Sequence, residues 1–137
     1  MISLPKLKNL RILSLARNNI KKIMGLEDLG QSLEELWLSY NQVERLDGLQ
    51  PCGKLHTLYI SNNKIKSWDE VNKLSQLPEI KTVLFVGNPI YGDRSREENA
   101  PLVVKRIPQV ETVDGKLISA AVRKQAEDMD WLPVGMI

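Results

Sequence analysis

The apolar pattern Leu-x-x-Leu-x-Leu-x-x-Asn-x-Ile runs four times along the chain, with conservative changes. It reads Leu10-Leu13-Leu15-Asn18-Ile20, then Leu33-Leu36-Leu38-Asn41-Val43. The third copy is Leu55-Leu58-Ile60-Asn63-Ile65 and the fourth Ile80-Val83-Phe85-Asn88-Ile90. Within each copy, positions four and six are apolar and flank a variable residue. That alternation predicts a short strand with one face buried and the intervening side chain turned outward. Behind the strands the apolar spacing is mostly three: Ile20, Ile23, Leu26 and Leu29, then Val43, Leu46 and Leu49. Three-residue spacing predicts 3₁₀ or single-turn helix rather than long α-helix.

The copies start at residues 10, 33, 55 and 80, so they are 23, 22 and 25 residues apart. That period lies within the roughly 20–29 residues of leucine-rich repeats. The fold class expected is α/β: a leucine-rich repeat solenoid with a short-strand parallel sheet, a 3₁₀ or short-helical convex side, and a C-terminal helical cap. Residues 1–98 are assigned to the repeats and 99–137 to the cap and terminal helix. Asn18, Asn41, Asn63 and Asn88 stand where the chain leaves each strand. Their amides are expected to form a structural ladder that satisfies backbone groups inside the turn.

The two ends differ. Leu4 and Leu7 continue the three-residue spacing to Leu10, like the rear of an incomplete repeat. This predicts that the natural N-terminus is missing and that the strand Leu10–Leu15 is an open edge. Toward the C-terminus, Asn99 as N-cap and Pro101 in the first turn predict a helix over Leu102–Ile107, stopped by Pro108. Residues Val110–Gly115 add a half-repeat. Ser119 then opens a second helix with Val122, Ala126 and Met129 on its packed face and Arg123, Lys124, Glu127 and Asp128 outside.

The outward positions carry the functional signal. The central column, one residue per strand, is Ser14, Trp37, Tyr59, Leu84; before it stand Ile12, Glu35, Thr57, Thr82, and after it Ala16, Ser39, Ser61, Val86. Arg17 and Tyr40 follow at the strand exits. A solvated face should be polar here, yet Trp37, Tyr40, Tyr59 and Leu84 cluster with Ile12 and Val86. Contiguous exposed apolar area marks an interaction site, and aromatics beside Arg17 have the composition of a binding hot spot.

Composition narrows the alternatives. With 137 residues, 42% apolar and 26% charged, the chain suits one folded domain, and its single Phe leaves the core to Leu, Ile and Val. Nineteen basic against seventeen acidic residues demand neither nucleic acid nor an anionic membrane. No apolar run approaches the ~20 residues of a membrane span. Basic residues nonetheless gather in 1–24 (Lys6, Lys8, Arg11, Arg17, Lys21, Lys22) and acids in 25–50 (Glu27, Asp28, Glu34, Glu35, Glu44, Asp47). The basic stretch lacks the interleaved aromatics that base stacking uses, so nucleic acid is not an expected partner. Cys52 is alone, which rules out an internal disulfide and favours a reducing, cytoplasmic setting. No nucleophile, phosphate-loop or zinc-protease motif is present. His56 is the only histidine, leaving no multi-His metal site and no sequence neighbour to activate Cys52. No enzyme activity, cofactor or metal is expected.

Several runs are more specific than the repeat itself. They are Leu10-Arg-Ile-Leu-Ser-Leu-Ala-Arg-Asn-Asn-Ile-Lys-Lys-Ile23, Leu33-Glu-Glu-Leu-Trp-Leu-Ser-Tyr-Asn-Gln42, Leu58-Tyr-Ile-Ser-Asn-Asn-Lys-Ile65 with Trp68, and Gly87-Asn-Pro-Ile-Tyr91. With Val103-Val-Lys-Arg-Ile-Pro-Gln-Val110 and Asp114-Gly115, the chain over residues 2–127 resembles the leucine-rich light chains of axonemal outer-arm dynein. The resemblance implies a non-catalytic subunit at the cilium or flagellum axoneme. Its implied partner is the microtubule-binding stalk region of a dynein heavy chain, whose engagement with the microtubule it would modulate, with tubulin as a further contact. It also implies a hydrophobic sheet face at Trp37, Tyr40, Tyr59 and Leu84, and a basic contact at Arg123 on the terminal helix. Two other scaffolds share features of this pattern: a leucine-rich subunit of a spliceosomal-type RNA–protein particle, and a regulator of a type-1 phosphatase.

Overall fold

The computed structural model describes residues 9–129. Each copy of the repeat supplies one three-residue strand: β1 (Ile12–Ser14), β2 (Glu35–Trp37), β3 (Thr57–Tyr59) and β4 (Thr82–Leu84). They pair in parallel and in sequence order, with Leu13, Leu36, Leu58 and Val83 as register partners. The inward column is fully buried in β2, β3 and β4, as are Leu38, Ile60 and Phe85 two residues on. Each such side chain withdrawn from water contributes about 1.5–3 kcal/mol, which fixes the register, since a one-residue slip would turn the column to solvent. β1 ends the sheet, and no other described strand pairs with its far side. Leu10, Leu13 and Leu15 beside it are only partly buried. The expectation drawn from Leu4, Leu7, Lys6 and Lys8 lies outside the described residues, as does any for 130–137.

The convex side follows the three-residue spacing. It holds a 3₁₀ turn at Glu27–Leu29, a single helical turn α1 (Trp68–Asn72) continuing into 3₁₀ at Lys73–Gln76, and a 3₁₀ turn at Pro89–Tyr91. Ser67 caps α1, its hydroxyl accepting from the Asp69 N–H at 3.2 Å.

The cap departs from expectation at its start. Helix α2 spans Arg96–Arg106, and its N-cap is Ser95, not Asn99. Ser95 and Glu98 form a reciprocal capping box: the Ser95 hydroxyl accepts from the Glu98 N–H and the Glu98 carboxylate from the Ser95 N–H. That satisfies two N-terminal donors at once, which Asn99 alone could not do. Asn99 is instead fully buried in the helix, donating to the carbonyls of Arg94 and Ser95. Pro101 therefore lies inside the helix, and α2 crosses the division drawn at residue 98. Two strands follow: β5 (Thr112–Val113), parallel to β4, and β6 (Lys116–Leu117), antiparallel to β5. The turn between them is Asp114-Gly115, both in the left-handed region. Ser119 caps α3 (Ala120–Asp128), whose Val122 and Ala126 pack against the core together with the C-cap residue Met129. One hydrophobic cluster runs from the repeats into the cap.

Candidate functional site

Parallel pairing brings Ser14, Trp37, Tyr59 and Leu84 side by side on the outward face. Trp37 and Tyr59 stack with ring centroids 5.9 Å apart and planes 28° off parallel. Trp37 has a polar anchor as well: its indole N–H donates to Glu35 Oε1 at 3.3 Å. Trp37, Tyr59, Leu84 and Val86 are half-buried, whereas Ile12 and Tyr40 remain 49% and 47% exposed. No described helix or loop covers this face enough to bury its rings. Ser39 and Ser61, one column on, are joined by a 2.8 Å hydroxyl bond.

At the strand exits the Arg17 guanidinium lies over the Tyr40 ring, 4.3 Å from its centroid. On the opposite rim Arg11 grips Glu34 with two bonds of 2.8 and 3.2 Å, and His56 Nε2 stands 3.5 Å from the same carboxylate. The Arg11 hydrogen bond is the main cause that holds Glu34 below the ordinary carboxylate range. Arg123 is not on the sheet face. It reaches from α3 to the carbonyls of Pro108 and Val110, at 3.0 and 2.6 Å, and so ties α3 to the turn after α2.

The asparagines occupy the layer beneath. Asn41 accepts from the N–H groups of Asn18 and Ile20 and donates to the carbonyls of Leu15 and Leu38. Asn63 accepts from Val43 N–H, Asn88 from Ile65 N–H, and both donate to carbonyls of their own and the preceding repeat. Asn18 is exposed and bonds only within its own turn through its amide nitrogen, to Leu15 and Ala16. Asp114 closes the series by a different route. Elsewhere the residue after each strand donates its N–H to a carbonyl on the next strand; Phe85 and Val86 donate instead to Asp114 Oδ1, at 2.7 and 2.9 Å. The Tyr91 hydroxyl donates to the other carboxylate oxygen, and burial together with that charge pushes the Tyr91 pKa up. The sequence places Asp114-Gly115 in a half-repeat, and Asp-Gly is a strong hairpin signal, but the anchoring role of the carboxylate is not expected from it.

Other chemistry is sparse. Cys52 is buried, and desolvation raises its thiol from 9.0 to about 11, away from nucleophilic use. Among the described residues no cluster of His, Cys, Asp and Glu is gathered as a metal site would require. No described helix is long and apolar enough to cross a membrane.

Comparison with known proteins agrees with the repeat geometry. A family described as Leucine Rich repeats (2 copies) matches residues 31–81. The chain is 46% identical over 129 residues to dynein axonemal light chain 1 of Chlamydomonas reinhardtii, a match covering 90% of this chain and 65% of the relative. It is 50% identical over 110 residues to the Homo sapiens protein of that name, covering 80% and 58%. The chain is a leucine-rich repeat protein similar in sequence to dynein axonemal light chain 1. It spans less than two thirds of the length of these relatives. Among solved structures, the Drosophila melanogaster SNF/U2A' complex aligns at a TM-score of 0.69 with 18% identity, over 93% of this chain and 92% of that one. An internalin from Listeria monocytogenes aligns at 0.57 with 19% identity, over 88% and 39%. Identities that low bear on the fold alone.

Proposed function

We propose that this chain is a non-catalytic, protein-binding subunit of axonemal outer-arm dynein. It docks through its outward sheet face on the microtubule-binding stalk region of the heavy chain and modulates how the motor engages the microtubule. The observation that carries the docking half is the uncovered plate of Trp37 stacked on Tyr59, with Leu84, Val86, Ile12 and Tyr40 around it. Large rigid aromatics, half-buried and flanked by charge, lose little entropy on docking and dominate binding energies at interfaces. The homology to dynein axonemal light chain 1 supports the choice of motor and the axoneme as the setting.

The plate is a rigid surface because its strands are fixed from below by the asparagine layer and the buried leucines. Modulation then follows from mass action: a light chain that binds one state of the stalk head more tightly shifts the head toward that state. A charged rim, such as Lys124 on α3, would lie near the acidic microtubule surface in such a complex.

Replacing Trp37 with Ala should weaken binding to a purified stalk head at least tenfold, since a hot-spot anchor contributes on the order of 2 kcal/mol. The thermal melt should stay nearly that of the wild type. Unchanged affinity would move the site off this face. Pull-down from ciliary and nuclear extracts distinguishes the RNA–protein scaffold reading, which shares the fold with the U2A' complex and would retrieve small nuclear RNA-particle proteins instead of heavy chain.

A further inference from the structure

The residue just before each ladder asparagine has an unusual backbone. Arg17, Tyr40 and Asn62 have φ of 58°, 60° and 55°, and Gly87, at the same place in the fourth repeat, has 87°. The left-handed region favours Gly and Asn and disfavours other side chains. Asn62 and Gly87 obey that preference, and a Cβ on Gly87 would come within 2.4 Å of the Asn62 amide oxygen. Arg17 and Tyr40 break it. The backbone does not need them, because Arg17, Tyr40 and Asn62 all make the same N–H bond to the next repeat, to Ser39, Ser61 and Val86. The two disfavoured residues are also the two that stack on each other and stand exposed. Strain kept at exposed positions where neighbouring repeats avoid it points to function.

Their chemistry narrows that function. A guanidinium held by its face leaves its in-plane N–H fork free for a planar, bidentate acceptor. Arg17 forms no ion pair among the described residues, unlike Arg11, which is committed to Glu34. The stretch 9–26 contains no acid, and Lys64 adds exposed positive charge two repeats further along the strand-exit rim. We infer that Arg17 and Tyr40 form a clamp for a carboxylate on the docked partner. The partner segment lays its apolar residues on Trp37, Tyr59 and Leu84 and places an Asp or Glu at the strand-exit rim. This rests on the docking reading above and adds the chemistry of the occupant.

Arg17→Gly separates clamp from scaffold. It restores a residue that the left-handed turn favours, so the melting temperature should hold or rise by roughly a few degrees. Affinity for the stalk head should nonetheless fall about tenfold at low salt. The gap should narrow at raised salt, where charge contacts are screened beyond about 3–10 Å. Arg17→Lys keeps the charge without the fork and should recover only part of the affinity. Wild-type affinity in Arg17→Gly, with Trp37→Ala still impaired, overturns the clamp and leaves the docking reading standing. A second probe reads the clamp without the stalk head: two synthetic amphipathic helical peptides with the same leucine face, one with glutamates beside it and one with glutamines. Preference for the glutamate peptide that disappears in Arg17→Gly supports the clamp even where the stalk head itself fails to bind. Equal binding of both peptides overturns it.

Discussion

Two tryptophan–tyrosine stacks of almost the same geometry serve opposite ends in this molecule. Trp37 and Tyr59 lie on the open sheet face at 5.9 Å and 28°. Trp68 and Tyr91 lie in the core at 6.2 Å and 21°, with exposures of 2% and 4%. The inner pair lies within the buried hydrophobic cluster, and its hydroxyl is anchored on Asp114. Among the described residues the outer pair is only half-buried. Stacking geometry therefore says nothing about role here; what covers the rings decides it. A covered stack contributes to folding, whereas an uncovered one leaves apolar area to be buried by something else.

The sharpest way to break this contrast is to remove one tryptophan from each stack. Trp68→Ala opens a cavity in a close-packed core and should cost about 3–5 kcal/mol in unfolding free energy, read by urea denaturation. Trp37→Ala should cost under about 1 kcal/mol in the same assay, because partly exposed side chains recover solvent contact. Comparable losses in the two variants would mean that the outer stack is structural too.

Next in size is the anchor. Asp114→Ala would strip the acceptor from the Phe85 and Val86 N–H groups and the Tyr91 hydroxyl, so a loss of about 2 kcal/mol or more is expected. Asp114→Asn retains one acceptor oxygen and should lose less. Should Asp114→Ala melt like the wild type, the carboxylate does not secure the inner stack. The outer pair has its own tether in Glu35, but that bond is partly solvated and carries no such burden.

How much of this was legible before any coordinates depends on which force sets each feature. The four strands, their register and the short convex turns follow from Leu13, Leu36, Leu58 and Val83 and their neighbours. Periodicity reports burial, and four agreeing copies leave little freedom. The outward columns were legible for the same reason, since a strand alternates. The start of α2 was misread because Asn99 and Pro101 each look like a helix opening, while the Ser95–Glu98 pair four residues earlier satisfies more donors. The Asp114 anchor and the shared left-handed backbone of Arg17, Tyr40, Asn62 and Gly87 depend on how repeats meet in space. The Asp-Gly pair signals a hairpin, but not that its carboxylate reaches the Phe85 and Val86 N–H groups. The fixing of Arg123 on the Pro108 and Val110 carbonyls is likewise a tertiary fact.

A pH-dependent effect comes from protons on the buried side of the contrast. Burial raises the Cys52 thiol from 9.0 to about 11, and Glu27 adds to the shift. Tyr91 is raised in the same direction from 10.0, by burial first and then by Asp114. In the unfolded chain both groups ionise near their ordinary values, while the folded chain keeps them protonated. The folded state thus binds more protons over that interval, and stability must fall as pH rises through it. The stabilisation from Cys52 is complete below pH 9.0 and lost by about 11, with Tyr91 beginning to contribute above 10.0. Urea midpoints taken from pH 8 upward should therefore decline, and Cys52→Ala should flatten the first part of the decline while leaving the part due to Tyr91. A Cys52→Ala profile parallel to that of the wild type between pH 9.0 and 10.0 would show that the thiol is hydrated in the folded chain.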